Sequence, residues 1–144
     1  MSTLSKVLVS LQFISLGYLI IFSNIIGEGF WLFPQLVGGF LSFWAVLIMK
    51  PGRFNIQPEV KKNATFITSG PYSLIRNPMY AGIILFFGSS SIHDQKLSTL
   101  LAYSLLIIVL IAKIHLEETQ LKNRFGAKYL KYKKETYRLI PYLY

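Results

Sequence analysis

The chain has 144 residues, of which 53% are hydrophobic, and its 15 lysines and arginines outnumber 6 aspartates and glutamates, giving a net charge of +9. The apolar fraction exceeds that of ordinary soluble domains, and the absence of cysteine excludes disulfides, thiolate metal sites and cysteine nucleophiles. A chain of this length predicts one domain, residues 1–144.

The first two predicted helices are apolar runs of transmembrane length, residues 7–27 and 29–49. Lys6 before the first run fits a signal peptide, but the run is long for one and no cleavage pattern follows it, so we expect a retained helix. A glycine pair in the second run, Gly38 and Gly39, favours close helix packing. We interpret both helices as membrane anchors and assign them no chemistry.

Two later runs, residues 77–92 and 97–112, are free of charge but cover only about 24 Å each as helices. They can span a bilayer only with help, which Lys113 and His115 give if they snorkel at the end of the last run. A soluble-core helix explains either run alone, but four such runs leave too little polar surface for a soluble core. We therefore predict an all-α fold, a multi-pass membrane helical bundle of about four transmembrane helices.

Positive charge is concentrated in the polar loop of residues 50–69 and in the tail after the fourth run. Prolines and a glycine predict that the loop is irregular. By the positive-inside rule, the amino terminus, this loop and the tail face the cytoplasm. A basic tail can also bind nucleic acid, but no nucleic-acid-binding fold surrounds it, and anionic membrane lipids explain the charge better.

The segment "GPYSLIRNPMYAG", residues 70–82, places polar residues at the start of the third run. Asn77 followed by Pro78 predicts a helix start, with the asparagine side chain capping backbone amides. The helix dipole and Arg76 together favour an anionic ligand at this point. A capped helix beside a snorkelling arginine explains the same residues without a binding site.

A second polar segment, "HLEETQLKNRFGAKYLKYKKETYRLIPYL", follows the fourth run directly. Its apolar and aromatic residues recur on one helical face among lysines and arginines, which predicts an amphipathic cytoplasmic helix, broken or bent at Gly126. Glu117 and Glu118 are costly at the bilayer edge without partners and therefore indicate function. Salt bridges to the nearby cations are the alternative explanation.

These two segments resemble the motifs of the isoprenylcysteine carboxyl methyltransferase and phospholipid methyltransferase family. "GPYSLIRNPMYAG" is similar to GPY-x-x-x-RHP-x-Y-x-G, and "EETQLKNRFGAKYLKYKKETYRLIP" is similar to EE-x-x-L-x-x-x-FG-x-x-Y-x-x-Y ending in R-x-IP. The resemblance covers residues 68–141 and is specific because both motifs occur in order around a helical hairpin, whereas the two anchor helices, residues 1–50, carry no such signal. It implies an integral membrane enzyme that holds S-adenosylmethionine between its carboxy-terminal helices and its tail.

The resemblance also implies the site residues. Those lining the cofactor would be Pro71, Tyr72, Arg76, Asn77, Pro78, Tyr80, Gly82, Glu117 and Glu118. Arg76 and Glu118 would contact the reacting group, and the lid or substrate entrance would be formed by Tyr129, Tyr132 and Arg138. Asn77 departs from the usual histidine of the family and cannot titrate near neutrality. No metal is needed, because the methyl group of a sulfonium is already activated.

The implied function is methyl transfer to a lipophilic acceptor, either an isoprenylcysteine carboxylate, a phospholipid amine or another small lipophilic nucleophile. Membrane sterol reductases are an alternative, because their carboxy-terminal half is similar and binds NADPH. Those proteins are longer and their motif is richer in tryptophan near the arginine, whereas here the tryptophans are Trp31 and Trp44, both in the second run. A non-catalytic membrane scaffold of the same fold is the third reading, and Asn77 favours it.

Overall fold

The computed structural model describes residues 3–49 and 67–144, and these residues form helices and no strand. The α-helices of this part are α1 Thr3–Phe22, α2 Leu32–Met49, α3 Pro78–Asp94, α4 Leu97–Phe125 and α5 Ala127–Glu135. Single turns of 3-10 helix, Gly29–Trp31 and Gly70–Ser73, precede α2 and α3. The irregular loop predicted for residues 50–69 lies almost entirely outside the described residues. The all-α prediction is confirmed.

Three helices in the described ranges are long and apolar enough to cross a membrane, namely α1, α4 and the segment Gly29–Met49 that contains α2. Large side chains on α1 and α2 point outward, with Phe13 52% and Ile14 64% exposed on α1 and Phe40 65% exposed on α2. Soluble proteins rarely present such contiguous apolar surface to water, whereas a bilayer covers it. The predicted all-α membrane bundle is confirmed, with three such helices among the described residues against the four expected. The helix expected to be the other span, α3, has 17 residues and is shorter, at about 26 Å.

The helices alternate in direction and pack as two antiparallel pairs, α1 with α4 and α2 with α3. Lys96, just before α4, donates to the carbonyl of Phe22 at the end of α1, while Lys113 farther along α4 reaches Gln12 in the middle of α1. Contacts between α3 and α4 join the pairs around a core formed by Leu19, Tyr80, Leu106, Leu110, Ile114 and Leu139. The start of α3 and the end of α4, which carry the two motifs, therefore lie at the same end of the bundle.

Helices α2 and α3 pack backbone against backbone at two glycines, Gly38 and Gly82. A Cβ atom on Gly38 would lie 2.6 Å from the carbonyl oxygen of Gly82 and 2.8 Å from the amide nitrogen of Phe86. Beside this contact, Ser42 Oγ donates to the carbonyl of Met79 at 3.2 Å. The close packing predicted from the glycine pair is confirmed at Gly38, and it fixes the beginning of α3 against α2.

The break between α4 and α5 lies at Gly126, as the sequence predicts. Gly126 has a φ of +51°, a conformation that favours glycine, and its N–H donates to the carbonyl of Lys122 at 2.9 Å. Beyond it, α5 buries Tyr129 and Tyr132 and exposes its lysines, so it is the predicted amphipathic helix.

Candidate functional site

The first motif folds as a turn followed by a short extended segment and then α3. Gly70 begins the 3-10 turn with a φ of +59°, and the turn buries Pro71 and Tyr72. Proline at the first position of α3 needs no hydrogen bond for its nitrogen, so Pro78 starts the helix as predicted and is fully buried.

The extended segment is paired with the tail of the chain. Arg76 N donates to the carbonyl of Tyr137 at 2.7 Å, and Tyr137 N donates to the carbonyl of Leu74 at 2.9 Å. Ile75 and Tyr137 thereby form an isolated parallel bridge. The two sequence motifs are thus joined through their backbones as well as through their side chains.

Asn77 occupies the N-cap position of α3, but the predicted capping by its side chain is wrong. Its Nδ2 donates instead to the carbonyl of Arg138 at 3.1 Å, and its backbone N–H donates to the same oxygen at 3.2 Å. The Asn77 backbone has φ −126° and ψ 57°, and its side chain makes no capping hydrogen bond with the first turn of α3. The side chain therefore donates to the tail and does not accept from the helix amides, so Asn77 joins the tail to the start of α3.

Glu118 lies within a cluster of cations at the end of the bundle. Its Oε1 accepts from Arg76 Nε at 3.0 Å and from Arg138 Nε at 3.3 Å, and its Oε2 accepts from Arg138 Nη2 at 2.8 Å. Lys133 Nζ adds a longer ion pair at 3.8 Å from a half-exposed position. The side chains of Arg76 and Glu118 are only 8% and 7% exposed. Three cations face one carboxylate, so the cluster has a local excess of positive charge, and the salt-bridge explanation applies to Glu118.

The guanidinium of Arg76 also binds the backbone where α5 ends. Its Nη1 donates to the carbonyl of Lys133 at 3.1 Å and to the carbonyl of Thr136. Arg76 therefore connects the start of α3, the end of α4 and the end of α5, and its position is fixed from three sides.

Glu117 points to a different part of the bundle from its neighbour. Its Oε1 accepts a hydrogen bond from the hydroxyl of Tyr80 at 2.6 Å, and the Tyr80 side chain is buried in the core. Glu117 itself is half-buried. The motif residues Tyr80 and Glu117 thus form a pair of their own beside the cluster around Glu118.

Lys113 does not snorkel, so that prediction is wrong. It is 1% exposed, its Nζ donates to Gln12 Oε1 at 2.6 Å, and the same nitrogen lies 5.3 Å from the centre of the Tyr80 ring. His115 is exposed. Gln12 is 6% exposed, so α1 contributes a buried polar side chain, which its interpretation as a plain anchor missed. A glutamine inside a predicted span, and a lysine four residues before Glu117, were the available signals.

The aromatic residues of the two motifs are packed together. Tyr132 donates its hydroxyl to the carbonyl of Tyr72 at 2.6 Å, and its ring centre lies 6.2 Å from that of Tyr129. Burial raises the pKa of Tyr132 to about 12, and burial likewise raises the pKa values of Tyr72 and Tyr129 well above the ordinary value. All three phenols are therefore neutral near pH 7 and act as hydrogen-bonding or stacking groups.

Arg138 joins the cluster from the tail, beyond α5. Burial lowers its pKa, but hydrogen bonds to Glu118 and to the hydroxyl of Tyr144 outweigh this and raise the pKa above its ordinary value. Arg138 is therefore a permanent cation here.

The structure brings most of the predicted site residues together but separates one of them. The cluster around Glu118 and its surroundings contain Pro71, Tyr72, Arg76, Asn77, Pro78, Tyr129, Tyr132 and Arg138. Tyr80 and Glu117 lie beside it, whereas Gly82 faces α2. Within residues 3–49 and 67–144, no group of three or more histidines, aspartates or glutamates is arranged to hold a metal ion.

A family model described as phospholipid methyltransferase matches residues 52–128, just over half of the chain. A search of curated proteins finds no match. The matched part includes α3, α4 and both glutamates, but it stops before Lys133, Thr136 and Arg138, which complete the cluster around Glu118.

Proposed function

Since the chain belongs to the phospholipid methyltransferase family, we propose that it moves the methyl group of S-adenosylmethionine to a lipophilic acceptor at the end of the bundle where α3 begins. The family implies a membrane methyltransferase that acts on lipids, and three long apolar helices agree with an integral membrane protein. The methyl donor, the acceptor and the residues that bind them are the proposal. The observation that carries it is the convergence of Arg76, Tyr80, Glu117 and Glu118, which come from two segments of sequence.

The side chains at this end of the bundle fit the chemistry of the donor. S-adenosylmethionine carries a carboxylate, an ammonium, ribose hydroxyls, an adenine ring and a sulfonium that supplies an activated methyl group. The excess positive charge of Arg76, Arg138 and Lys133 over Glu118 suits the carboxylate. Glu117 offers an acceptor for the ammonium or the hydroxyls, and the tyrosines offer faces for the adenine and the cation.

The protein's own contribution is alignment and exclusion of water, since an activated methyl group needs no metal and no covalent nucleophile. Arg76 is well suited to orient an anionic group, because Glu118 and two backbone carbonyls hold its guanidinium in place. Tyr80 restrains the carboxylate of Glu117 through its hydroxyl. Both groups are therefore positioned before any ligand arrives, which lowers the entropy cost of binding.

Asn77 bears on the alternative of a scaffold without activity. Its side chain serves the contact with the carbonyl of Arg138, a role that an amide performs without titrating. The departure from histidine is therefore compatible with an active protein, in which residue 77 holds the tail.

The end of the bundle that carries the candidate site is proposed to face the cytoplasm. It is continuous with the basic helix α5 and the tail, and the positive-inside rule places such segments on the cytoplasmic side together with the amino terminus. A soluble cofactor then enters from the cytoplasm, while a lipophilic acceptor arrives through the bilayer.

Calorimetry on the purified full chain in detergent tests the proposal with S-adenosylmethionine and NADPH as separate ligands. We expect S-adenosylmethionine to bind, and Arg76→Ala and Glu117→Gln each to weaken binding by roughly 10-fold or more, as the loss of a charge-assisted contact predicts. Ser104→Ala, an exposed change near the opposite end of α4, is the matched control. Binding of NADPH without binding of S-adenosylmethionine would instead favour a reductase. Unchanged affinity for S-adenosylmethionine in both Arg76→Ala and Glu117→Gln would contradict the proposed site.

A further inference from the structure

A second polar group lies deeper in the bundle than the two glutamates. Lys113 is on α4, four residues before Glu117, which places it about 6 Å farther along the helix axis on the same face. Its neighbours come from two other helices, with Gln12 on α1 at 2.6 Å and the ring of Tyr80 on α3 at 5.3 Å. Three helices therefore converge on one buried ammonium group.

An ammonium group at this place is expensive. Lys113 is 1% exposed within a helix apolar enough to span a membrane. A charged side chain at the centre of such a helix costs about 2.5–3.5 kcal/mol of insertion free energy, and it is usually retained for function. Apolar side chains also pack between α1 and α4, among them Leu19 on α1 and Leu106 and Leu110 on α4. If the contact between Lys113 and Gln12 served only to join α4 to α1, two neutral side chains would form it at lower cost in free energy.

The partner that Lys113 contacts also suggests exchange. Gln12 offers a neutral amide oxygen, which an anionic oxygen can replace with a gain in electrostatic energy. A carboxylate in the place of Gln12 would hold the ammonium much more strongly and would oppose such replacement.

Lys113 and Glu117 present opposite charges one helical turn apart, and Tyr80 contacts both. The Tyr80 hydroxyl donates to Glu117 at 2.6 Å, and its ring faces the Lys113 ammonium. Glu117 is half-buried and lies one helical turn from the ammonium, so an acceptor whose reacting atom lies near Glu117 can bring an anionic oxygen to Lys113 by displacing Gln12. In a phospholipid this oxygen belongs to the phosphodiester, and in an isoprenylcysteine it is the carboxylate oxygen that is not methylated.

We infer that Lys113 binds the anionic oxygen group of the lipophilic acceptor, a phosphodiester or a carboxylate, and that Gln12 is its partner when no acceptor is bound. This inference rests on the proposed function, because it assigns the acceptor side of the same site. Lys113 then determines which acceptors bind, while cofactor affinity depends on the residues around Glu117 and Glu118.

Two variants separate this role from a structural one. Lys113→Met removes the charge, whereas Gln12→Glu keeps the α1–α4 contact and pairs the ammonium permanently with a carboxylate. If the contact is only structural, Gln12→Glu preserves or strengthens the link between α1 and α4. If Lys113 binds an anion, the new carboxylate occupies the ammonium and blocks the site. Lys113→Arg retains a positive charge. Ser15→Ala is the control, since Ser15 is buried on α1, the helix of Gln12, and its hydroxyl donates to the carbonyl of Leu11.

Lipid binding is measured by native mass spectrometry of the full chain without cofactor. Two probes carry an anionic oxygen group and are called the anionic probes: dioleoylphosphatidylethanolamine, a zwitterion with a phosphodiester, and N-acetyl-S-farnesylcysteine, with a carboxylate. Oleyl alcohol is the uncharged comparison. We expect Gln12→Glu and Lys113→Met to lower the binding of at least one anionic probe, relative to oleyl alcohol, by roughly 10-fold to 100-fold. We expect Lys113→Arg and Ser15→Ala to retain most of it. The anionic probe that is affected identifies the source of the anionic group.

Kinetics and calorimetry on the same variants complete the test. For the probe that the wild type methylates, KM should rise in Gln12→Glu while the affinity for S-adenosylmethionine stays at the wild-type value. Unchanged binding of both anionic probes in Gln12→Glu and Lys113→Met overturns the role of Lys113. A wild type that binds no S-adenosylmethionine overturns the proposed function instead, and the binding of the lipid probes still decides the role of Lys113.

Discussion

Glu117 and Glu118 are neighbours in the chain but point about 100° apart around α4, and they meet different surroundings. Glu118 is held by two arginines and a lysine at the end of the bundle. Glu117 accepts a hydrogen bond from Tyr80, one turn from the buried Lys113. Two identical side chains, adjacent in sequence, therefore suit different tasks, because helix geometry turns them toward different neighbours.

The region around Glu118 joins the segments of the chain that form the site. The partners of Glu118 come from the start of α3, from α5 and from the tail, so one carboxylate joins segments that are remote in sequence. The second region is suited to ligands, since Glu117 accepts from the hydroxyl of Tyr80 and Lys113 donates to the amide oxygen of Gln12, and both of these groups are neutral. The comparison predicts that changes around Glu118 alter stability most, and that changes around Glu117 alter binding most.

The largest expected effect is that of Glu118→Gln compared with Glu117→Gln. Loss of the Glu118 charge leaves Arg76 and Arg138 facing each other without compensation in a buried place, which costs about 3–5 kcal/mol in comparable cases. Thermal unfolding in detergent should therefore show a clear loss of stability for Glu118→Gln and little change for Glu117→Gln. Cofactor affinity should fall in Glu117→Gln although that protein stays folded. Equal stability of the two variants would contradict the comparison, and Glu135→Gln, on the exposed side of α5, is the control.

A smaller effect is expected for Asn77→Ala, which removes one attachment of the tail. The side-chain hydrogen bond to the carbonyl of Arg138 is lost, but the backbone N–H of residue 77 still reaches the same oxygen. The free energy of unfolding should fall by about 0.5–1.5 kcal/mol, the usual net value of one hydrogen bond. Hydrogen exchange should show faster opening of residues 136–138. Exchange that is unchanged there would mean that the side chain of Asn77 does not hold the tail.

Asn77→His restores the usual residue of the family and separates the two explanations of this position. If residue 77 only holds the tail, the variant should transfer methyl groups with the same pH profile as the wild type. A new rise or fall in rate near pH 6.5, the ordinary pKa of histidine, would instead indicate that an imidazole takes part at this position.

The sequence was sufficient for features that depend on local pattern. Apolar run length predicts the long helices, Pro78 predicts the start of α3, and Gly126 predicts the break after α4. Each of these follows from backbone preferences of one or two residues or from the hydrophobicity of a window, so no knowledge of distant contacts is needed.

Side-chain partners were harder to predict, because they depend on how helices are turned toward each other. The side chain of Asn77 leaves its own helix for a carbonyl 61 residues away, and Lys113 turns to Gln12 across 101 residues. Local rules describe an asparagine cap and a snorkelling lysine, and both rules are overruled by tertiary neighbours. The same limitation explains why the sequence alone places Glu117 and Glu118 in one site without a division between them.

The smallest effect is expected for Lys133→Gln, which removes the outermost cation of the Glu118 cluster. Its ammonium lies 3.8 Å from Glu118 Oε2 and its side chain is 45% exposed, so water and salt weaken the attraction. Exposed ion pairs of this kind contribute about 0–1 kcal/mol, so the unfolding temperature of Lys133→Gln should lie close to that of the wild type. Affinity for S-adenosylmethionine should fall slightly at low salt and by less at high salt, since one charge of the positive excess is gone. A loss of stability as large as that of Glu118→Gln would show that the cluster acts as one cooperative unit, in which the exposed lysine matters as much as the two arginines.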